Sequence, residues 1–528
     1  MKPNQSFRLT RRQCLQFIAG GAGAVALQSL LSGCSPIAPA AQSPATTATA
    51  GKPKRGGVLR YIPPDSLSQF DPAMGQKNAE ISALLCAYDT LTYHDVTTKG
   101  EPVRPQLAES WEQSPDGLSY TFKLRQGVTF QHGTPLTAKD VAYTFQRIRD
   151  PKMGSHWANN LKTLDKIETT DDYTVKFHLL SPDVTIPYLF AMPGFAIVPH
   201  DRTAEQLAKE PGGSGPFKLA QYLPGERLIF KRNENYWNKE LPYLDELQFH
   251  FISEPAAQFA ALTSDAADVI GQISISNVAQ IEQAGGLKVV EGEQGRYHLF
   301  AMRATEKPFD DVRVRQAFKH AIDRAALQKA ILLGRGAIGN DQPIGPSNTF
   351  SANVPPLPYD VAKAKQLLTE AGYPNGLEVT LSVAEIMPGI VDAATALQEM
   401  FKAAGIIVTL DKVPVPTFFG QKYKKTPFFA SWWPLFSEPD YILYSAYLAG
   451  GSNETGWSDP KLTELITQGR RERDQAKRRQ IYADIQKIIS EQGAVIIPYF
   501  IPSLGAARAN VNGFVPASPP RLPFVWLA

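Results

Sequence analysis

Side chains able to do chemistry are plentiful in this chain, yet few stand at the spacings that chemistry requires. The eight histidines (His94, His132, His156, His178, His200, His250, His298 and His320) are scattered, and none stands at i,i+4 from another histidine or a cysteine. Such spacing builds no helix-borne metal centre; imidazoles satisfied in a core or facing solvent account for it better. There is no phosphate-binding Walker loop, no C-x-x-C, and no Gly-x-Ser-x-Gly around Ser214. The acidic residues are numerous, but no pair has a spacing that implies shared acid–base work. A chain without a catalytic constellation reads as a binder rather than an enzyme, with no cofactor and no metal held by its own side chains. What stands out is aromatic density. Phe418, Phe419, Phe428, Phe429, Trp432, Trp433, Phe436, Tyr441, Tyr444, Tyr447 and Trp457 fall within 40 residues, with Glu438 and Asp440 among them. Rings with a few polar anchors are what a concave organic-ligand site needs. Pro434 and Pro439 predict that residues 431–440 run as an irregular loop, because neither a helix nor a central strand accommodates both.

The three cysteines carry a different message. Cys14 and Cys34 lie in an N-terminal segment in which Thr10-Arg11-Arg12 precedes an apolar, Gly/Ala-rich stretch over residues 17–31. A cationic region followed by a short apolar one is an export signal. The paired arginines with Leu15 three positions on fit its twin-arginine variant. The stretch is interrupted by glycines, Gln28 and Ser29, and is shorter than the ~20 apolar residues of a membrane span. It ends in Leu31-Ser32-Gly33-Cys34, which resembles the lipobox of bacterial lipoproteins, where the cysteine thiol is acylated and becomes the new N-terminus. The sequence therefore predicts a leader over 1–34, lipid attachment at Cys34, and a location in the periplasm or on the outer face of the cell membrane. Residues 35–55 are rich in Ala, Pro, Ser and Thr and bury too little apolar surface to order themselves, so they predict a tether. Only Cys86 remains, which leaves no intrachain disulfide in the mature chain.

More than 470 residues follow the tether, enough for two or three domains with large cores. The formal charge of +3 misleads: losing Lys2, Arg8, Arg11 and Arg12 with the leader takes it to −1. No electrostatic case for nucleic acid survives. Elements that would position a site can be read from periodicity. The spacing predicts helices over residues 80–90, 137–147 (opened by a Thr137/Asp140 capping box), 312–333, 360–371, 390–404, 460–472 and 474–491. Strands are predicted at 56–62, 110–112, 120–124, 173–179, 377–383, 406–413 and 494–497, with a hairpin over 217–232 around Pro224-Gly225. Helix–strand alternation in the second half argues for an α/β lobe. The tail from 498, Pro-rich yet holding Tyr499, Phe500, Phe514, Phe524 and Trp526, is expected to dock on a core.

Several segments together resemble a known family. Pro105-Gln106-Leu107-Ala108-Glu109-Ser110-Trp111-Glu112, Asp116-Gly117-Leu118-Ser119-Tyr120-Thr121-Phe122 and Thr137-Ala138-Lys139-Asp140-Val141 look like the signature of family 5 solute-binding proteins, the extracytoplasmic receptors of ATP-driven importers. Tyr88-Asp89-Thr90-Leu91, Gly213-Ser214-Gly215-Pro216-Phe217 and Asn233-Glu234-Asn235-Tyr236-Trp237 match as well, and the likeness spans about residues 56 to 515. The resemblance implies an α/β, two-lobed hinged clamp of three domains with mixed sheets. A first domain would be assembled from 56–85, 205–296 and 496–528, with a second inserted over 86–204; residues 297–495 would form the other lobe. It implies a monomer that captures a peptide, peptide-like or other small organic solute and delivers it to an ABC permease and its ATPase subunits. A metal-chelate receptor of the nickel type and an exported hydrolase on the same scaffold are the alternatives. In peptide receptors of this family an aspartate four residues before a proline pairs with the ligand's amino group; here Leu435 holds that place. The resemblance implies ligand contacts from Trp432, Trp433 and Phe436, with Asp440 as polar anchor, Asn453 and Trp457 closing the same wall, and Asp65 to Phe70 meeting the ligand from the opposite lobe.

Overall fold

Two long strands carry the chain between its two halves and organise everything else. In the computed structural model, which describes residues 52–95, 103–436, 438–448, 452–516 and 520–528, strand Leu287–Met302 runs antiparallel to Tyr499–Arg508. Their pairing is regular from Leu287 opposite Arg508 to Glu291 opposite Leu504, then shifts register twice before Tyr297 meets Phe500. Irregularities of this kind bend a ribbon and raise its twist, and here they fall where one core gives way to the next. The expected leader, Cys34 and the tether up to residue 51 lie outside the described residues.

These two strands sit in the middle of a mixed twelve-stranded sheet. On one side stand, in order, Phe428–Pro434, Leu377–Val383 and Ile406–Lys412; on the other, Val269–Ile270, Val58–Ile62, Glu246–His250, Arg227–Arg232 and Phe217–Leu223. The first group carries the large core of the second lobe, with Phe300, Phe318, Leu381, Leu397, Phe428 and Tyr482 fully buried. Helices Ile390–Lys402, Pro460–Arg471 and Gln475–Gln492 cover it. The second group carries the first-lobe core around Tyr61, Phe217, Phe230 and Phe249. A four-stranded antiparallel sheet, ordered Ala108–Gln113, Ser119–Leu124, Thr174–Leu179, Leu164–Asp171, packs with helix Ala138–Arg149 around Phe122, Phe145 and Phe177 to form the insert.

Local chemistry explains most element ends. Thr137 and Asp140 make the reciprocal capping box that starts helix Ala138–Arg149. Asp360 and Asp474 accept backbone N–H bonds at the starts of Val361–Glu370 and Gln475–Gln492. The predicted helix over 312–333 is two helices, Val312–His320 and Arg324–Leu332, because Asp323 takes the Ala326 N–H and opens the second. The final strand is longer and later than the sequence suggests: Val495–Ile496 is a two-residue stub, and the main strand is Tyr499–Arg508 inside the Pro-rich tail. Pro502 is tolerated there because it lies at a register shift. Of the tail aromatics, Tyr499 and Phe500 pack into the second-lobe core, Phe514 and Trp526 are buried, and Phe524 is exposed.

Residues 431–440, predicted to be irregular, are mostly regular. Phe428–Pro434 is an interior strand pairing with 296–302, and Pro439–Tyr447 is a helix. Both prolines occupy positions that need no donor: Pro434 is the last strand residue, and Pro439 is the first residue of its helix.

Candidate ligand cavity between the insert and the second lobe

Helix Pro439–Tyr447 delivers two carboxylates to one place. Glu438 is its N-cap and Asp440 lies in its first turn, where the helix dipole favours negative charge. Both are buried, at 5% and 2% exposure. Together with Tyr441, Tyr444, Ser445 and Arg470 they form one wall of a cavity of about 350 Å³. The facing wall belongs to the insert: Asn160, Thr163, Thr185, Tyr188, Leu189 and Met192. The cavity thus lies between lobes, with a wall from each.

The lobes touch beside it. Arg470 donates to Asp183 of the insert from Nε (3.0 Å) and Nη2 (2.8 Å), and the Val184 N–H donates to the Arg470 carbonyl at 2.9 Å. Arg473 reaches the Ser114 and Pro115 carbonyls at 3.3 Å each. Arg470 also lies over the Tyr444 ring, 4.8 Å from its centroid. Behind the wall, Arg478 is nearly inaccessible. It pairs with Glu438 Oε1 at 2.7 Å and donates to the Gly469 carbonyl, while the Tyr482 hydroxyl donates to the same Oε1 at 3.3 Å.

These partners are shared unequally. Every donor to Glu438 goes to Oε1, including the Asp440 N–H at 3.2 Å; Oε2 has no hydrogen-bond partner among the described residues. Asp440 has its Oδ2 3.5 Å from Arg470 Nη1, beyond a good hydrogen bond, and its Oδ1 has no partner. Burial drives the Asp440 carboxyl up to about 7; Arg470 and Arg478 oppose the shift, while Asp183 and Glu438 add to it.

The structure distributes the sequence-predicted contact residues differently from expectation. Only Asp440 lines the cavity. Trp432 and Trp433 are half-buried on the interior strand, opposite His298 and Tyr297. Phe436 sits behind Tyr441, ring centroids 4.4 Å apart. Leu435 is half-buried and packs beside Gly345 against the second-lobe core. Asn453 is a turn organiser: its Oδ1 accepts the Thr455 and Gly456 N–H groups, and its amide donates to the Trp457 carbonyl. Trp457 is 8% exposed and packs edge-on to Tyr447. In the first lobe, Phe70 is not a surface ring but a core one, 1% exposed and T-stacked on Tyr222. Asp65 is engaged by the Asn78 and Ala79 N–H groups at the start of helix Asn78–Ala87. Cys86 is buried, and burial pushes its thiol up, so it is structural. Sequence reasoning missed Asp183, Tyr188 and Arg470. Asp183 and Arg470 are 287 positions apart, and no local pattern signals such a pair.

Among the described residues no three His, Cys, Asp or Glu side chains are grouped to hold a metal, and no helix is long and apolar enough to cross a membrane. The family model for bacterial extracellular solute-binding proteins, family 5 (middle), matches residues 102–454. Glutathione-binding protein GsiB of Escherichia coli O1:K1 / APEC is 28% identical over 424 residues, covering 77% of this chain and 82% of that protein. Heme-binding protein A of Haemophilus influenzae is 28% identical over 453 residues, covering 79% and 80%. Among solved structures, the ABC transporter-associated periplasmic binding protein DppA from Helicobacter pylori, in complex with peptide STSA, superposes with a TM-score of 0.74 at 26% identity, covering 90% of this chain and 98% of that one. The names of these three proteins speak of binding or transport, and their ligands differ: glutathione, heme and a peptide.

Proposed function

The chain belongs to the family 5 bacterial extracellular solute-binding proteins of ABC importers, and from that premise we propose a lipid-anchored receptor for a peptide-like or other small organic solute. It closes its insert and second lobe over that solute and hands it, chemically unchanged, to the importer's permease and ATPase subunits. The observation that carries this reading is the 350 Å³ cavity walled from both lobes and flanked by the Asp183–Arg470 ion pair. A ligand held there adds contacts to both lobes at once, so it binds the closed form better than the open one, which is the thermodynamic requirement for closure. Asp440 is the polar anchor. Phe436 backs the wall through Tyr441, and Trp432 and Trp433, half-buried on the strand before it, leave their exposed parts to whatever of the solute extends beyond the cavity. The three-domain division follows from the same premise, with the insert over 86–204 docking on residues 297–495.

We place the anchor at Cys34: two or three acyl chains hold a protein to a bilayer essentially permanently. The body works as a monomer outside the cell membrane. The reading is tested by mass spectrometry of an organic extract of natively purified protein. A small solute at about one per chain, released unaltered after prolonged incubation, is expected; its turnover by the purified protein would establish a hydrolase instead. Fractionation tests the anchor, since Cys34→Ala should release the protein from membranes.

A further inference from the structure

The charged groups in the cavity walls satisfy one another. Asp183 is fully buried; it accepts two bonds from Arg470 and one each from the hydroxyls of Thr163 (3.3 Å) and Thr185 (2.6 Å). Glu438 is paired with Arg478, and the partnerless oxygens of Glu438 and Asp440 are sealed inside the wall. Burial drives the Asp440 carboxyl towards its neutral form, so as an anchor it brings no full charge that a solute must match. It also lowers the His156 pKa, which keeps that ring neutral at pH 7. Lys162 lines the mouth but is exposed, where water solvates an ammonium. What remains free is neutral. The side-chain polar groups of Asn160, Tyr441, Tyr444 and Ser445 make no hydrogen bond among the described residues, and all four residues line the cavity. Asn160 is half-buried in the short helix His156–Leu161 of the insert. Tyr441, Tyr444 and Ser445 stand at i, i+3 and i+4 on helix Pro439–Tyr447 and so share a face, while Ile442 and Leu443 between them are buried. Half-buried Tyr188, on helix Ile186–Leu189, brings a further ring from the facing wall.

Resting on the receptor reading above, we infer that this cavity takes an uncharged, hydroxyl-rich solute, one or two linked sugar rings, between Tyr188 of the insert and the Tyr441–Ser445 face of the second lobe. A sugar hydroxyl donates and accepts at once, as do the Asn160 amide and the hydroxyls of Tyr441, Tyr444 and Ser445, so the two sets pair without stranding a charge. The C–H faces of a sugar ring are apolar and pack on tyrosine rings, whose hydroxyl ends stay polar. An ammonium or carboxylate brought to the same walls would lose hydration and meet no free counter-charge inside them. A volume of about 350 Å³ lies at the small end of the range for organic-ligand sites, which suits one or two rings and excludes a long oligomer.

Two sets of probes test this on solute-stripped protein, read by thermal shift and calorimetry at neutral pH: the sugars glucose, xylose, cellobiose, xylobiose, maltose and sucrose, and the zwitterionic dipeptides glycylglycine and alanylleucine. At least one sugar should raise the melting temperature and neither dipeptide should. The affinity for that sugar should change by less than about twofold between low and high salt, because a neutral ligand has no charge to screen. Asn160→Ala and Ser445→Ala should each weaken it by about threefold or more. Neither side chain bonds to the rest of the fold, so the ligand-free melting temperature should not move. No stabilisation by any of the sugars, equal stabilisation by a dipeptide, a steep salt dependence, or full sugar affinity in both variants would each overturn the assignment. A charged solute extracted from native protein, bound tightly and released unaltered, would overturn it too, while leaving the receptor reading intact.

Discussion

Two buried aspartates show how differently one side chain is used in this molecule. Asp89 is fully inaccessible and saturated: Gln106 Nε2 (2.6 Å), Ser214 Oγ (2.9 Å), Tyr236 Oη (2.9 Å) and Trp237 Nε1 (3.1 Å) all donate to it. Those four donors come from the segments by which the family is recognised, so the signature converges on a structural node where first lobe and insert meet. Asp440 is just as buried but has one distant arginine and an oxygen with no partner. A carboxylate that the fold has fully satisfied is holding the fold together; one left short of donors on the wall of a cavity is driven by burial towards its neutral form.

The comparison can be broken at either end. Asp89→Ala leaves four donors unpaired, Ser214 and Tyr236 buried and Gln106 and Trp237 part-buried, and should cost about 4 kcal/mol of stability in urea unfolding; a loss under 1 kcal/mol would mean that the node is not structural. Asp440→Asn should act through pH instead. Below about pH 3 the Asp440 carboxyl is neutral in folded and unfolded chains alike. As pH rises towards 7 the unfolded chain ionises it and the ligand-free fold does not, so stability falls across that window and is flat above it. The Asn variant should lack this slope, and the difference amounts to about 4 kcal/mol between pH 4 and pH 8. Parallel profiles would show that Asp440 ionises freely and is not short of donors.

Smaller effects sharpen the contrast. A double-mutant cycle on Asp183 and Arg470, each to Ala, should give a coupling energy of about 2 kcal/mol, since this pair is part-buried, doubly hydrogen-bonded and joins insert to second lobe. A value near zero would leave the lobes without an electrostatic latch. Smallest of all, Phe436→Ala removes the ring behind Tyr441 and should weaken solute binding by about fivefold, roughly 1 kcal/mol, with the melting temperature little changed.

Most helix starts are legible in the sequence, because capping residues act locally: Thr137 with Asp140, Asp360 and Asp474 all mark real helix N-termini; the two lobes with an inserted domain are legible only through the family resemblance. The sequence misleads where a single residue has two uses. Asp323 reads as a mid-helix polar residue and is a cap; Pro434 and Pro439 read as breakers of a loop and instead bound a strand and a helix. Asp440 is legible as an acid beside an aromatic cluster, but its cavity is not, since half the wall comes from residues 156–192, far away in sequence. Phe70 and Asp65 illustrate the converse: the types suit a binding loop, and packing on Tyr222 and helix Asn78–Ala87 claims both.

The central claim, capture of solute between insert and second lobe, is tested most directly by amide hydrogen exchange of the protein stripped of solute and then resupplied with its native extract. Protection should rise in peptides covering 183–192 and 438–447 together, including the Val184 amide that bridges the lobes. Protection confined to residues 65–70 and the strand Phe428–Pro434, with the insert unchanged, would contradict it and move the binding site away from the insert.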